Sequence, residues 1–205
     1  MYGTVRILRG GLGAAAILVA MTSPSDDPAL EALRFPIGRW EEVTATSPAQ
    51  VREDIDRLAV SAKRLRSAVA GLGPSQLATP YRPGGWTVRQ VVHHTADAAL
   101  HGYSRFRFAL TEDAPTIHPY LEARWAELTD AREGPIEPSL AMFDGTIARW
   151  TALLRTLGPK DWERTYVHPE HGRSFRLDAA LSDYAWHHEH HCAQISQLRA
   201  RAGWK

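Results

Sequence analysis

The stretch DAALSDYAWHHEHHCAQISQLRARAG, Asp178 to Gly203, decides the fold. Ala180, Tyr184, His187, His191, Ile195 and Leu198 recur at steps of three and four, the period of one helical face turned toward a core. Gly203 marks its end, as a glycine just past a helix does. Two members of that stripe, His187 and His191, are histidines four residues apart. At this spacing both imidazoles lie on one side of the helix, with Cβ atoms roughly 5–6 Å apart. Polar groups in a core stripe must be satisfied or used, because burying them unpaired costs several kcal/mol.

Working back from there, Arg164 to Leu177 alternates weakly and carries Pro169 and Gly172, which predicts a small β-hairpin. Leu140, Phe143, Ile147, Trp150, Leu154 and Leu157 predict a helix from about Ser139 to Leu157, ended by Gly158 and Pro159. Thr111 to Pro138 holds four prolines and reads as a long crossover with one short helix near Leu121 to Leu128. Before it, Thr87 and Gln90 form a capping-box pattern that opens a helix running to about Leu110. The inward seam of that helix is Val91, His94, Ala98, His101 and Arg105, unusually polar for a core. The first long helix opens with Ser47 as N-cap, Pro48 at the first helical position and Gln50 as capping-box partner. Its apolar face is Val51, Ile55, Leu58, Ala62, Leu65, Val69 and Leu72, and Gly73 and Pro74 stop it; Gly73 to Gly85 reads as a loop. The expected fold is all-α, a four-helix bundle with a long crossover connection and a small hairpin before the last helix. In that architecture ligand and metal sites lie between facing helices.

A chain of 205 residues is the size of one ordinary domain and buries a core without disulfides. Its formal net charge of +1 gives no sign of a nucleic-acid surface or a polybasic membrane patch. The single cysteine, Cys192, excludes an internal disulfide and fits a reducing compartment, so the cytoplasm is the expected location. Arg6 and Arg9 precede an apolar run, Gly11 to Met21, that looks like a secretory signal with a poor cleavage site. A start at Met21 and a disordered tail are the competing readings, and the run is short of the ~20 residues a membrane helix needs. Residues 1–33 are expected to lie outside the fold, with 34–205 forming the bundle.

His187 and His191 suit two adjacent positions around one metal ion, and His94, at an inward heptad position, is the candidate third ligand. Three neutral imidazoles match zinc, nickel and similar divalent ions. No fourth protein ligand is evident, so a coordination position stays open, as in catalytic sites. The ordinary alternatives are a hydrogen-bonded core histidine at 94 and a solvated histidine-rich face at 187–191.

Several segments in order then carry a family resemblance: YRPGGWTVRQVVHH (Tyr81–His94), ARWTALLRTL (Ala148–Leu157), HPE (His168–Glu170), AWHHEHH (Ala185–His191), and PIG at Pro36–Gly38. Together they resemble the YfiT group of the DinB superfamily, from about Leu33 to Trp204. The resemblance implies a four-helix bundle, usually a homodimer, acting as a metal-dependent hydrolase with zinc or nickel on three histidines. It assigns those histidines to His94, His187 and His191, and turns His93 away from the metal. Where such proteins often have an apolar residue and a further histidine, this chain has Cys192 and Gln194; Gln194 is expected at most at the periphery of the site.

A metal with an open position activates water against a carbonyl or similar centre of a small-molecule substrate. Asp97, one turn after His94, and Asp183, one turn before His187, are weak candidates for a carboxylate that orients an imidazole or accepts a proton. The wider superfamily also resembles thiol transferases, which would place a low-molecular-weight thiol on the metal and let Arg105 or Arg107 meet an anionic co-substrate; Arg107 also reads as an ordinary solvated arginine. A third reading is a binding module without catalysis. Cys192 is rejected as a nucleophile because adjacent helical residues diverge by ~100°. His101 is expected to line the pocket, and His168 to reach it from the hairpin.

Overall fold

The computed structural model describes residues 27–205; the leader-like segment and Met21 lie outside the described residues. In chain order the elements are α1 (Pro28–Arg34), α2 (Pro48–Val69), α3 (Pro74–Leu77), α4 (Val88–Thr111), α5 (Glu122–Trp125), α6 (Thr129–Glu133), α7 (Glu137–Leu154), α8 (Pro159–Trp162), β1 (Thr165–His168), β2 (Arg173–Arg176) and α9 (Leu177–Ala202). The four long helices α2, α4, α7 and α9 form the bundle. α2 packs on α9 and α7, and α4 packs on α7 and α9, so α2 and α4, consecutive in the bundle, stand across a diagonal. The connections from α2 to α4 and from α7 to α9 must therefore cross the bundle's end. The core between the helices is built by Leu58 and Leu65 of α2, Val91 and Phe106 of α4, Phe143, Ile147 and Trp150 of α7, and Ile195 of α9.

Helix starts follow the caps the sequence carries. Ser47 Oγ accepts from Gln50 N–H at 3.2 Å, but the Gln50 side chain turns to Asp54, so only half of that expected capping box forms. At α4 the whole box forms, with Thr87 N–H donating to Gln90 Oε1 at 2.9 Å and Gln90 N–H to Thr87 Oγ1 at 3.2 Å. Gly73–Pro74 and Gly158–Pro159, expected only as stops, also start α3 and α8. In each, proline takes the first helical position and the glycine N–H donates to a side chain three residues on, Gln76 or Asp161. The crossover holds two short helices, α5 and α6, where one was expected. The hairpin is present, with Thr165 opposite Arg176 and His168 opposite Arg173.

The expected boundary at residue 33 falls inside α1. That helix buries no residue of its own. At its end the Arg34 carbonyl accepts from Gln194 and Phe35 packs on His190. Gly102 permits a close approach in the bundle: a Cβ there would lie 2.5 Å from Trp150 of α7 and 2.7 Å from Tyr184 of α9. Among the described residues no helix is long and apolar enough to cross a membrane.

Candidate metal centre

His94 on α4 faces His187 and His191 on α9, and one ligand atom from each lies within 4.8 Å of the other two. His187 Nε2 stands 3.3 Å from His94 Nε2 and 3.2 Å from His191 Nε2. Two nitrogens at ~2.05 Å from a shared tetrahedral ion would stand ~3.3 Å apart. The rings meet edge-on, at interplanar angles of 64°, 77° and 81°, so their nitrogens point inward rather than stacking. This donor set fits a borderline divalent cation.

A hydrogen-bond chain fixes the state of His191. The Arg34 carbonyl can only accept, so the Gln194 amide nitrogen faces it, at 3.0 Å, and Gln194 Oε1 faces His191 Nδ1 at 2.9 Å. An amide oxygen can only accept, so Nδ1 carries the proton and Nε2 presents its lone pair to the cluster. Gln194 is thus bonded directly to a candidate ligand, not peripheral as expected. Its amide also donates to His190 Nε2 at 2.9 Å, which ties His190 away from the cluster.

Burial, reinforced by the neighbouring imidazoles, holds His94 and His187 well below the usual histidine range, and burial lowers His191 to about 4. All three are neutral near pH 7, the state a metal ligand requires. Trp86 covers His94 at 4.7 Å. His93 turns to Ser139 Oγ, 2.7 Å away, as the resemblance implied, and His188 Nδ1 donates to the Tyr184 carbonyl at 2.7 Å.

A cavity of about 300 Å³ adjoins the cluster at His187. His101 and Arg105 of α4, His168 of β1, and Asp183 and Tyr184 of α9 line it, which places His101 and His168 where they were expected. Asp183 is there too, its carboxyl pushed up to about 6 by burial against the opposing pull of Arg105. Asp97 is not among the lining residues, and burial likewise raises it to about 6. Among the described residues neither carboxylate bonds to an imidazole, and His187 Nδ1 is without a partner, so the expected orienting role is not seen. Arg107 is exposed, holding the Tyr103 hydroxyl at 3.0 Å.

Glu189, between the two candidate ligands of α9, lies on another face of the helix and meets α2. It pairs with Arg57 at 2.6 Å and with Arg64. Cys192 shares that side of α9, buried, its thiol pushed up to about 12 by burial, so it is no nucleophile for this site. The missed residues are Gln194 and Tyr120, whose ring stacks on His101 at 4.1 Å. The i+3 spacing from His191 was a signal for the first; the second lies in the crossover, where no periodicity points to it.

The family model of the DinB superfamily matches residues 57–195. A Geobacillus kaustophilus protein is 44% identical over 85% of this chain and 98% of its own length. Bacillus subtilis YfiT is 44% identical over 84% of this chain and 97% of its own length, and both names assign those proteins provisionally to the metal-dependent hydrolases. The solved structure of B. subtilis YfiT, described as a four-helix bundle of unusual topology, aligns with a TM-score of 0.82 at 43% identity, covering 85% of this chain and 99% of that one. With the family model matching most of its length and these relatives 43–44% identical over nearly their whole length, the chain belongs to the DinB superfamily, in the YfiT group.

Proposed function

We propose that the chain is a metal-dependent hydrolase whose His94, His187 and His191 hold one divalent ion, zinc or nickel, through their Nε2 atoms. The observation that carries this reading is the convergence of three neutral imidazole nitrogens beside a cavity, with the tautomer of His191 fixed by Gln194. When bound, such an ion supplies Lewis acidity, polarising a carbonyl oxygen and making water a nucleophile near neutral pH. Asp183 is the better placed of the two carboxylates to accept the proton from water, because it shares the cavity with His187 and Asp97 does not. Trp86 packs on the His94 ring and helps hold it in place. The names of the relatives support hydrolysis, the resemblance supports a homodimer, and the single cysteine supports a cytoplasmic location; light scattering and fractionation check the last two.

The test begins with metal analysis of untagged protein. About one equivalent of zinc or nickel is expected in the parent, little in His187→Ala, and a full complement in His93→Ala. Equal metal in parent and His187→Ala removes His187 as a ligand. Metal-loaded protein is then assayed on ester and amide panels with and without small thiols; turnover that requires a thiol replaces hydrolysis with thiol transfer.

A further inference from the structure

Five buried polar atoms on residues lining the cavity have no hydrogen-bond partner among the described residues: Trp40 Nε1, Arg105 Nε, the Tyr120 hydroxyl, His168 Nδ1 and His187 Nδ1. Burying donors without partners costs folding free energy, so a cluster of them around a cavity marks where a ligand's acceptors belong. Arg105 is held in place from one side. Its Nη1 donates to the Tyr184 hydroxyl at 3.0 Å, and Tyr184 is buried in α9. That leaves the Nε and Nη2 edge, whose two parallel N–H groups match the two oxygens of a carboxylate. Arg105 makes no ion pair among the described residues, so this edge is not already taken by Asp183 or Glu122.

We propose that the cavity recognises a small molecule bearing one carboxylate, received by the free edge of Arg105 and the Tyr120 hydroxyl, with the reacting part of the molecule lying toward His187. The proposal rests on the reading of this cavity as the substrate site. Its dimensions suit a small ligand, at about 300 Å³. Flat ring pairs, His101 on Tyr120 at 4.1 Å and Tyr166 on Phe175 at 5.8 Å, give the walls an apolar character suited to a hydrocarbon spacer. The charge count favours a single negative charge. Asp183 and Glu122 also line the cavity, and its second arginine, the exposed Arg173, is already paired with Glu42, so a doubly charged phosphate would face two carboxylates against one unpaired guanidinium; burial already holds both carboxyls above their ordinary range.

Calorimetry on the metal-free full chain tests this, since no ion is then present to bind a carboxylate itself. The probes are monomethyl glutarate and the same ester with a carboxamide in place of the carboxylate. The parent is expected to bind the acid about 10- to 100-fold more tightly than the amide. Arg105→Gln should bind the two equally, Arg105→Lys should keep only a small part of the preference, and Glu122→Gln, which leaves Arg105 in place, should enlarge it. Equal binding of the two probes by the parent, no binding of either, or a preference intact in Arg105→Gln overturns the proposal. Should Arg105→Gln fail to fold, Arg105→Lys and Glu122→Gln decide, and an unchanged preference in both overturns it. Zinc-loaded protein is then offered the same two esters as substrates. A carboxylate preference without turnover supports this site and removes the hydrolase reading.

Discussion

Replacing Gln194 by leucine removes the acceptor for His191 Nδ1–H while keeping a side chain of similar bulk at a fully packed position. In the metal-free protein that bond joins two neutral groups and is worth about 0.5–1.5 kcal/mol. Once His191 Nε2 donates to a cation, its ring becomes more acidic, and the same bond approaches the 1.5–3 kcal/mol of a charge-assisted one. The difference, about 1–2 kcal/mol, is what Gln194 adds to metal affinity, so Gln194→Leu should weaken zinc binding about 5- to 30-fold. Competition against a chromophoric chelator measures it. Gln194→Glu separates this effect from general damage. A carboxylate at 194 still accepts from Nδ1, so affinity should equal or exceed the parent's. The same substitution loses the donor to the Arg34 carbonyl and to His190, so the metal-free fold should be less stable. Affinity and stability then move in different directions. Unchanged affinity in Gln194→Leu, or an equal loss in both variants, would refute the tautomer argument.

Asp183→Asn should lower kcat on any hydrolysed substrate by about 10²–10⁴ without loss of bound metal, and an unaffected kcat would dismiss Asp183 as the proton acceptor. Asp97→Asn should stabilise the protein, because burial raises the Asp97 carboxyl to about 6 from an ordinary 3.8. A raised carboxylate favours folding at low pH and becomes a growing liability as pH climbs from about 4 to about 6. The full shift corresponds to roughly 3 kcal/mol, and partial exposure reduces the expected gain to about 1–2 kcal/mol at pH 8, vanishing by pH 4. Chemical denaturation at the two pH values checks it, and a destabilised variant at pH 8 would contradict the sign. Gly102→Ala should cost about 2–4 kcal/mol, since the added methyl has rigid ring carbons of Trp150 and Tyr184 in its way; a thermal midpoint equal to the parent's would show that those rings can yield.

The helical period put His94, His187 and His191 on inward stripes, because a core stripe and a ligand pair share the same three-and-four spacing, and the family resemblance made them a ligand set. The period could not reveal Gln194's bond to His191, because the orientation of that amide is set by the Arg34 carbonyl, 160 residues away in the chain. The role of Glu189 is hidden for a related reason. A helical wheel offers one inside and one outside, but α9 packs on α4 with one face and on α2 with another, and Glu189 meets Arg57 and Arg64 on the second. The diagonal placement of α2 and α4 is equally invisible in periodicity, since each helix shows the same apolar stripe whichever neighbour it meets. Tyr120 and the second short helix of the crossover, α6, lie among prolines that read as connection, though Tyr120 supplies a wall of the cavity.

The two faces of α9 differ in how their polar groups are satisfied, and that difference separates holding the fold together from holding a ligand. On the α2 side Arg57 bridges buried Asp54, through Oδ1 at 2.8 Å, and Glu189, so opposite charges are paired within the protein even though Asp54 Oδ2 has no partner among the described residues. Removing one partner there strands a buried charge and costs stability. On the α4 side the imidazole nitrogens, Arg105 Nε and the Tyr120 hydroxyl are left for something else to satisfy. Burying those groups unmet works against folding, so an ion that binds only the folded chain restores stability by mass action, about 4 kcal/mol at a thousandfold excess over Kd. Substitutions on the α2 face should therefore lower stability with or without metal, whereas loss of a histidine on the α4 face should chiefly abolish the increment that metal adds.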